Sequence, residues 1–195
     1  MFEVKQFKNF SKFNFDFSLD LSVNMNDKYV NVELFSLTYG SLVRAIVKET
    51  NNIDDANAKL MKIGVSLGNR ITDDIVVHLD PYNIKTFRQA SQLLVDSFRN
   101  YLGVTATLHD QTDNRVLLYL SEGPITRYVT IPLENEGLIY LNPLLGAIKT
   151  MLSMLHFSTE VKLTQDRLRG DPMNVIEIKL IDIMNDTLPP GEYLS

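Results

Sequence analysis

Gly64-Val65-Ser66-Leu67-Gly68 matches the G-x-S-x-G pattern of a nucleophile elbow, in which a strained turn lifts a serine hydroxyl toward a histidine base. Asp110 and His156 follow it in the chain order that such a hydrolase triad requires. That chemistry demands a strand before Ser66 and a helix after it. Ser66 instead falls inside a helical stripe formed by Ala56, Leu60, Ile63, Leu67, Ile71 and Ile75. The better role for the motif is structural: Gly64 and Gly68, four residues apart, share one helix face and let another element approach closely.

The remaining reactive residues point to no other catalyst. His78, His109 and His156 have no i, i+3 or i, i+4 pairing, and no cysteine completes a set, so no metal site is expected. There is neither a GxGxxG run after a strand nor a GxxxxGK[ST] loop, so no dinucleotide or nucleoside triphosphate site is indicated. Arg169-Gly170-Asp171, followed by Pro172, has the composition of a hairpin turn. Met151 and Met154 stand beside Leu152, Leu155 and Phe157, where thioethers could line an adaptable apolar cavity or simply fill a core. The expectation is a protein that binds other proteins and is not an enzyme.

At 195 residues, with 45% hydrophobic and 22% charged residues, the chain suits one globular domain. A net charge of -5 gives no attraction to phosphate backbones, so nucleic acid is not an expected partner. The absence of cysteine excludes disulfides and S-acylation and suits a reducing compartment. No signal-peptide pattern and no apolar run of membrane-spanning length is visible, which makes a cytoplasmic location the expectation.

Between Phe13 and Val23 apolar and polar residues alternate strictly, the pattern of a half-buried strand that could join a sheet of its own or of another chain. A helix is predicted from Val32 with Phe35, Tyr39, Leu42 and Ile46 inward, and a second from Asp54 and Asp55 with the stripe given above. A third opens on a Thr86-x-x-Gln89 capping box, buries Phe87, Ala90, Leu94, Phe98 and Tyr101, and stops at Gly103. Residues 104–109 and 115–120 read as a hairpin, and Tyr128–Ile131 as a further strand. Asn142 is placed as N-cap, with Pro143 at the first position of a helix apolar nearly all round apart from Lys149. Thr159–Arg167 and Val175–Met184 complete the strands. The fold class expected is α+β, an antiparallel sheet packed against a layer of helices.

Several separated stretches carry a resemblance to a known family. They are Leu37-Thr38-Tyr39-Gly40, Lys62-x-Gly64 with Gly68-x-Arg70, Phe87-Arg88, Tyr101-Leu102-Gly103, Leu138-Ile139-Tyr140-x-Asn142, Leu145-Gly146, Gln165-Asp166-x-Leu168-x-Gly170-Asp171 and Leu188-Pro189-x-Gly191-Glu192. In that order they resemble the Bet-three-type core subunit of the transport protein particle (TRAPP), a tethering complex. The resemblance divides the chain into an N-terminal extension (1–32), a TRAPP-subunit-like domain (33–184) and a C-terminal tail (185–195).

The resemblance implies a structural subunit of a vesicle-tethering assembly acting between endoplasmic reticulum and Golgi and promoting Rab GTPase nucleotide exchange. Implied partners are other TRAPP subunits, a Rab GTPase and, in isolation, a second copy through a largely helical dimer. Membrane association at the Golgi and endoplasmic reticulum would be peripheral, through the complex. In the family the tail reaches the GTPase's nucleotide pocket, which maps here onto Leu188, Pro189, Pro190, Gly191 and Glu192. Family members also hold an acyl chain on a cysteine just before the third helix. Here that position falls at or next to Ile84 and no cysteine exists, so covalent acylation is not expected. A cavity near Ile84, Ser97, Met151 and Met154 would either take a fatty acyl ligand non-covalently or be plugged by Ile84. The alternative function is a stand-alone lipid- or small-molecule-binding domain of the same fold.

Overall fold

The computed structural model describes residues 31–78 and 84–184. The predicted strand at Phe13–Val23 and the tail both lie outside them. Within them the order is α1 (Val32–Glu49), α2 (Ile53–His78), α3 (Phe87–Leu102), β1 (Ala106–His109), β2 (Arg115–Leu120), α4 (Asn142–Met154), β3 (Phe157–Gln165) and β4 (Asn174–Ile183). The strands form one antiparallel sheet in the order β1-β2-β4-β3. The fold is α+β, with helices against the sheet, as the sequence pattern predicts.

Helix boundaries follow local chemistry. Asn31 caps α1 by accepting from the Glu33 and Leu34 amides. At α2, Asn52 Oδ1 accepts from the Asp55 amide at 2.8 Å. The predicted capping box of α3 is present, Thr86 and Gln89 bonding each other's backbone reciprocally. Its C-terminus is a Schellman motif: Gly103 takes φ 62°, its amide donates to Arg99 and that of Val104 to Phe98.

Two apolar clusters make the core. The larger lies between α3, α4 and the sheet and includes Leu94, Phe98, Val116, Leu118, Ile148, Leu152, Ile176 and Ile178. The smaller joins α1 to α2 through Val43, Ile46, Ala56, Leu60, Leu138 and Tyr140. α4 is central, with α2 on one side and β3 on the other, which explains why its sequence is apolar nearly all round.

The α2–α4 crossing depends on glycine. A Cβ at Gly64 would stand 2.2 Å from the Pro143 carbonyl oxygen, one at Gly68 2.7 Å from that of Ala147, and one at Gly146 2.5 Å from that of Met61. The two backbones touch directly. This explains the G-x-S-x-G spacing without catalysis. It also corrects the expected α2 stripe: Gly64, Gly68 and Thr72 occupy the inward line, and Leu67 is rolled outward to 44% exposure.

Three further expectations are corrected. Leu42 is exposed, and Val43 takes its place at the α1–α2 seam. Tyr128–Ile131 is not a strand: the chain turns there, Arg127 donating to Gly123 and Val129 to Thr126, and Val129 and Ile131 pack on the smaller cluster. Their apolar character reflects that packing, not sheet pairing. Asn142 is the first residue of α4, with Leu141 at the cap. Its side-chain amide instead donates to Asn57 Oδ1 at 3.0 Å, and the same oxygen accepts from the Ile139 amide at 2.9 Å, fastening the α4 entry to α2.

Gly64→Ala and Gly146→Ala should each destabilise the fold by about 2–3 kcal/mol, lowering Tm by about 8 °C. Gly40→Ala, whose Cβ would lie 3.4 Å from Tyr140 Oη, should shift it by no more than about 3 °C. Thermal unfolding followed by circular dichroism measures all three.

Candidate functional site

The residues of the hydrolase pattern occupy unrelated structural roles. Ser66 is exposed in the middle of α2, donating to the Lys62 carbonyl at 3.5 Å, with no strand or turn beside it. Asp110 and His156 take positive φ values, 46° and 67°, at the ends of β1 and α4, where the chain reverses. Among the described residues no cluster of histidine, aspartate and glutamate is arranged to hold a metal.

The cavity residues separate. Met151 is 4% exposed within the larger cluster, Ile84 is half-buried against it, and Ser97 is buried with its hydroxyl donating to the Leu93 carbonyl at 2.8 Å. Met154 is not with them; it is 41% exposed on the last turn of α4, because Leu152 and Leu155 take the inward positions there. A separate apolar crevice enclosing about 20 Å³ lies between the clusters, lined chiefly by Phe98, Leu102, Leu120, Ile125, Leu141 and Leu144. None of the four predicted cavity residues lines it. The tail residues Leu188–Glu192 lie outside the described residues.

The surface that sequence reading missed is on the outer side of α1. Leu34 and Leu37 are 59% and 46% exposed there, and Leu42, 42% exposed, lies further round the same helix. The signal was present. α1 carries apolar residues on more of its circumference than one core can take, with Val32, Val43 and Ile46 inward and the three leucines outward. Arg44 and Lys48 are exposed on the same helix. An apolar helical patch of this kind, rimmed by charge, suits contact with another protein surface.

The α1 face is held by buried polar contacts. Tyr39 Oη donates to the Tyr140 carbonyl at 2.6 Å, and the two rings meet edge to face at 5.0 Å. Burial drives the ionisation of both phenols upward, so both stay neutral; Tyr39 donates as described, whereas Tyr140 Oη is buried with no hydrogen-bond partner among the described residues. Ser36 Oγ donates to the Pro124 carbonyl.

The Gln165–Asp171 motif forms the turn after β3. Asp166 is 4% exposed; its Oδ1 accepts from the Leu168 amide at 2.9 Å, and its own amide donates to Asp171 Oδ2 at 2.7 Å. Gly170 takes φ 99°, the left-handed conformation that the turn requires. Burial raises the Asp166 pKa, against the opposing pull of the Leu168 amide and Arg169.

Residues 35–180 match the family model described as transport protein particle (TRAPP) component. The chain is 30% identical over 167 residues to the transport protein particle subunit bet3 of Schizosaccharomyces pombe, covering 84% of this chain and 91% of that protein. It is 30% identical over 168 residues to the trafficking protein particle complex subunit BET3 of Saccharomyces cerevisiae, covering 84% and 87%. The crystal structure of a trafficking protein particle complex subunit 3 from Naegleria fowleri, covalently bound to palmitic acid, superposes with a TM-score of 0.73 at 24% identity, covering 80% of this chain and 98% of that one.

Because the folded-state pKa of Asp166 lies above its ordinary value of 3.8, protonation favours the folded state. The resulting stability is fully present below the unfolded pKa and is lost as pH rises through the folded one. Asp166→Asn, which keeps an acceptor for the Leu168 amide, should therefore show a smaller loss of Tm than the wild type as pH rises from about 4 to neutrality. Thermal melts across that range give both slopes.

Proposed function

The chain belongs to the transport protein particle (TRAPP) component family as a Bet3-type member, and from that premise we propose that it is a structural, non-catalytic subunit of a vesicle-tethering complex in endoplasmic reticulum to Golgi transport. The observation that carries the reading is the exposure of Leu34 and Leu37 on the outer side of α1, a seat for a neighbouring subunit or, in isolation, for a second copy. A stable interface needs a dry apolar centre with a polar rim, and Leu34 and Leu37 share one side of α1 with the exposed Arg44 and Lys48. Its location would be cytoplasmic and peripheral to Golgi and endoplasmic reticulum membranes, held there by the complex. No helix among the described residues is long and apolar enough to cross a membrane.

Within the assembly, the chain would contribute to nucleotide exchange on a Rab GTPase through its tail. Leu188, Pro189, Pro190 and Gly191 would present the Glu192 carboxylate beside the nucleotide. A negative charge there disturbs the phosphate and magnesium environment by repulsion.

The palmitic acid of the Naegleria protein raises a second reading, a stand-alone lipid- or small-molecule-binding domain. This chain has no cysteine, so a thioester to the acyl group is closed to it, and Ile84 and Met151 put their own apolar side chains into the interior. A fatty acyl ligand would therefore be held without a thioester. The apolar crevice beside Phe98, Leu102 and Leu144 encloses only about 20 Å³, too little for an acyl chain, so a ligand there would require these side chains to move apart.

Gentle affinity purification from source cells, with mass spectrometry of the proteins and lipids recovered, separates the two readings. Recovery of several other tethering-complex subunits supports the first, and recovery of the chain alone with stoichiometric lipid supports the second. The double substitution L34D/L37D should leave the isolated chain's stability within about 1 kcal/mol while lowering subunit recovery about tenfold or more. Retention of normal recovery by a folded L34D/L37D chain would remove this face from the interface. Glu192→Gln should slow exchange by the assembled complex without changing its composition.

A further inference from the structure

The alternating segment Phe13–Val23 precedes the family match, which begins at residue 35, and the tethering role makes no use of it. One side of the alternation is Phe13, Phe15, Phe17, Leu19, Leu21 and Val23, and the other is wholly polar. A pattern this regular favours a conformation that buries one side and solvates the other.

Among the described residues the sheet has two unpaired edges, β1 and β3, and they differ. On β3, Glu160 and Lys162 form an ion pair at 2.6 Å, and the register with β4 shifts at Ser158/Thr159 and again at Leu163/Gln165. Charged side chains and bulges are the devices that stop an edge from accepting another strand. β1 has neither. Its register against β2 is unbroken from Ala106 to His109, and it carries no acidic residue and no lysine. The Ser121 amide donates to Thr105, so Thr107 and His109 turn their backbone groups toward β2 while Ala106 and Leu108 turn theirs outward.

The chain also arrives at the right end. Ser36, near the start of α1, bonds Pro124 just past β2, and Leu120 of β2 stands opposite Ala106 at the start of β1. Residues 24–30 can reach about 24 Å when extended, several times the strand spacing of about 4.8 Å. A segment running toward Asn31 passes β1 antiparallel; beside β3 it would run parallel and break the pattern of the sheet. At the far end of β1 lies a depression of about 140 Å³, lined by Thr86, Phe87, Arg88, Gln111, Thr112 and Asp113. The Nε2 of Gln111 is buried there with no hydrogen-bond partner among the described residues.

We infer that residues 13–23 add to β1 of the same chain as a fifth, antiparallel strand. The phenylalanine row continues the inner row of Ala106 and Leu108 beneath α3, and the polar row continues Thr107 and His109. This edge pairing is independent of the tethering function and stands or falls separately from it.

The absence of native cysteine makes crosslinking direct. Full-length chains carrying Thr107→Cys with Asn14→Cys, Ser18→Cys or Ser22→Cys should include one pair that closes an intramolecular disulfide under mild oxidation, read by intact mass. Ser18→Cys with Lys162→Cys should not close. In hydrogen exchange the Ala106 and Leu108 amides should be about tenfold or more slower in the wild type than in F15D/F17D, with β2 and β4 unchanged. A disulfide to position 162, disulfides only between chains, or Ala106 and Leu108 amides as fast in the wild type as in F15D/F17D would each overturn the inference. If F15D/F17D loosens β2 and β4 as well, the crosslinks alone decide.

Discussion

The direct contact of the α2 and α4 backbones is the constraint on which the rest of the structure depends. Gly64, Gly68 and Gly146 remove the side chains that would hold the helices apart, and carbonyl oxygens of Pro143, Ala147 and Met61 fill that space. Such a crossing gains dense van der Waals packing and forfeits adaptability, since a methyl group has nowhere to go. It fixes α4 as the central element. With α4 held on α2, its other side is free to cover β3, and α2 carries α1 along the seam beside that contact.

That arrangement explains why the protein has two apolar clusters and an outward apolar face. The larger cluster is closed by α3, α4 and the sheet. The smaller is a seam between α1, α2 and the irregular stretch from Ile125 to Tyr140, fastened by Asn57, Asn142 and the Tyr39–Tyr140 contact. α1 therefore sits at the periphery with one side on the seam and the other uncovered. The exposed leucines follow from its position as the last layer, and a neighbouring subunit supplies the missing cover in the proposed assembly.

Much of the candidate site could be read from residue order, and part of it could not. The capping box and glycine stop of α3 are local chemistry, and they appear where the sequence places them. Ser66 was recognisable as a helical residue because the stripe around it is periodic. Leu34 and Leu37 were not singled out because a leucine's inward or outward direction depends on which neighbour the helix meets. Met154 failed for a similar reason: an apolar residue on the last turn of an apolar helix can face either way, and Leu152 and Leu155 had the closer approach to the core.

By itself the sequence determined the α+β class, the helices, the hairpin and final strand pair, and the exclusion of disulfide and thioester chemistry, because periodicity, capping and the lack of a thiol are properties of neighbouring residues or of composition. The tertiary structure decided which side of α2 is inward, that Asn142 bonds Asn57 instead of capping its helix, and that Tyr128–Ile131 covers a cluster instead of joining the sheet. Those outcomes depend on contacts between residues far apart in the chain. An amide or an apolar side chain takes the partner that folding brings to it, and no local pattern names that partner in advance.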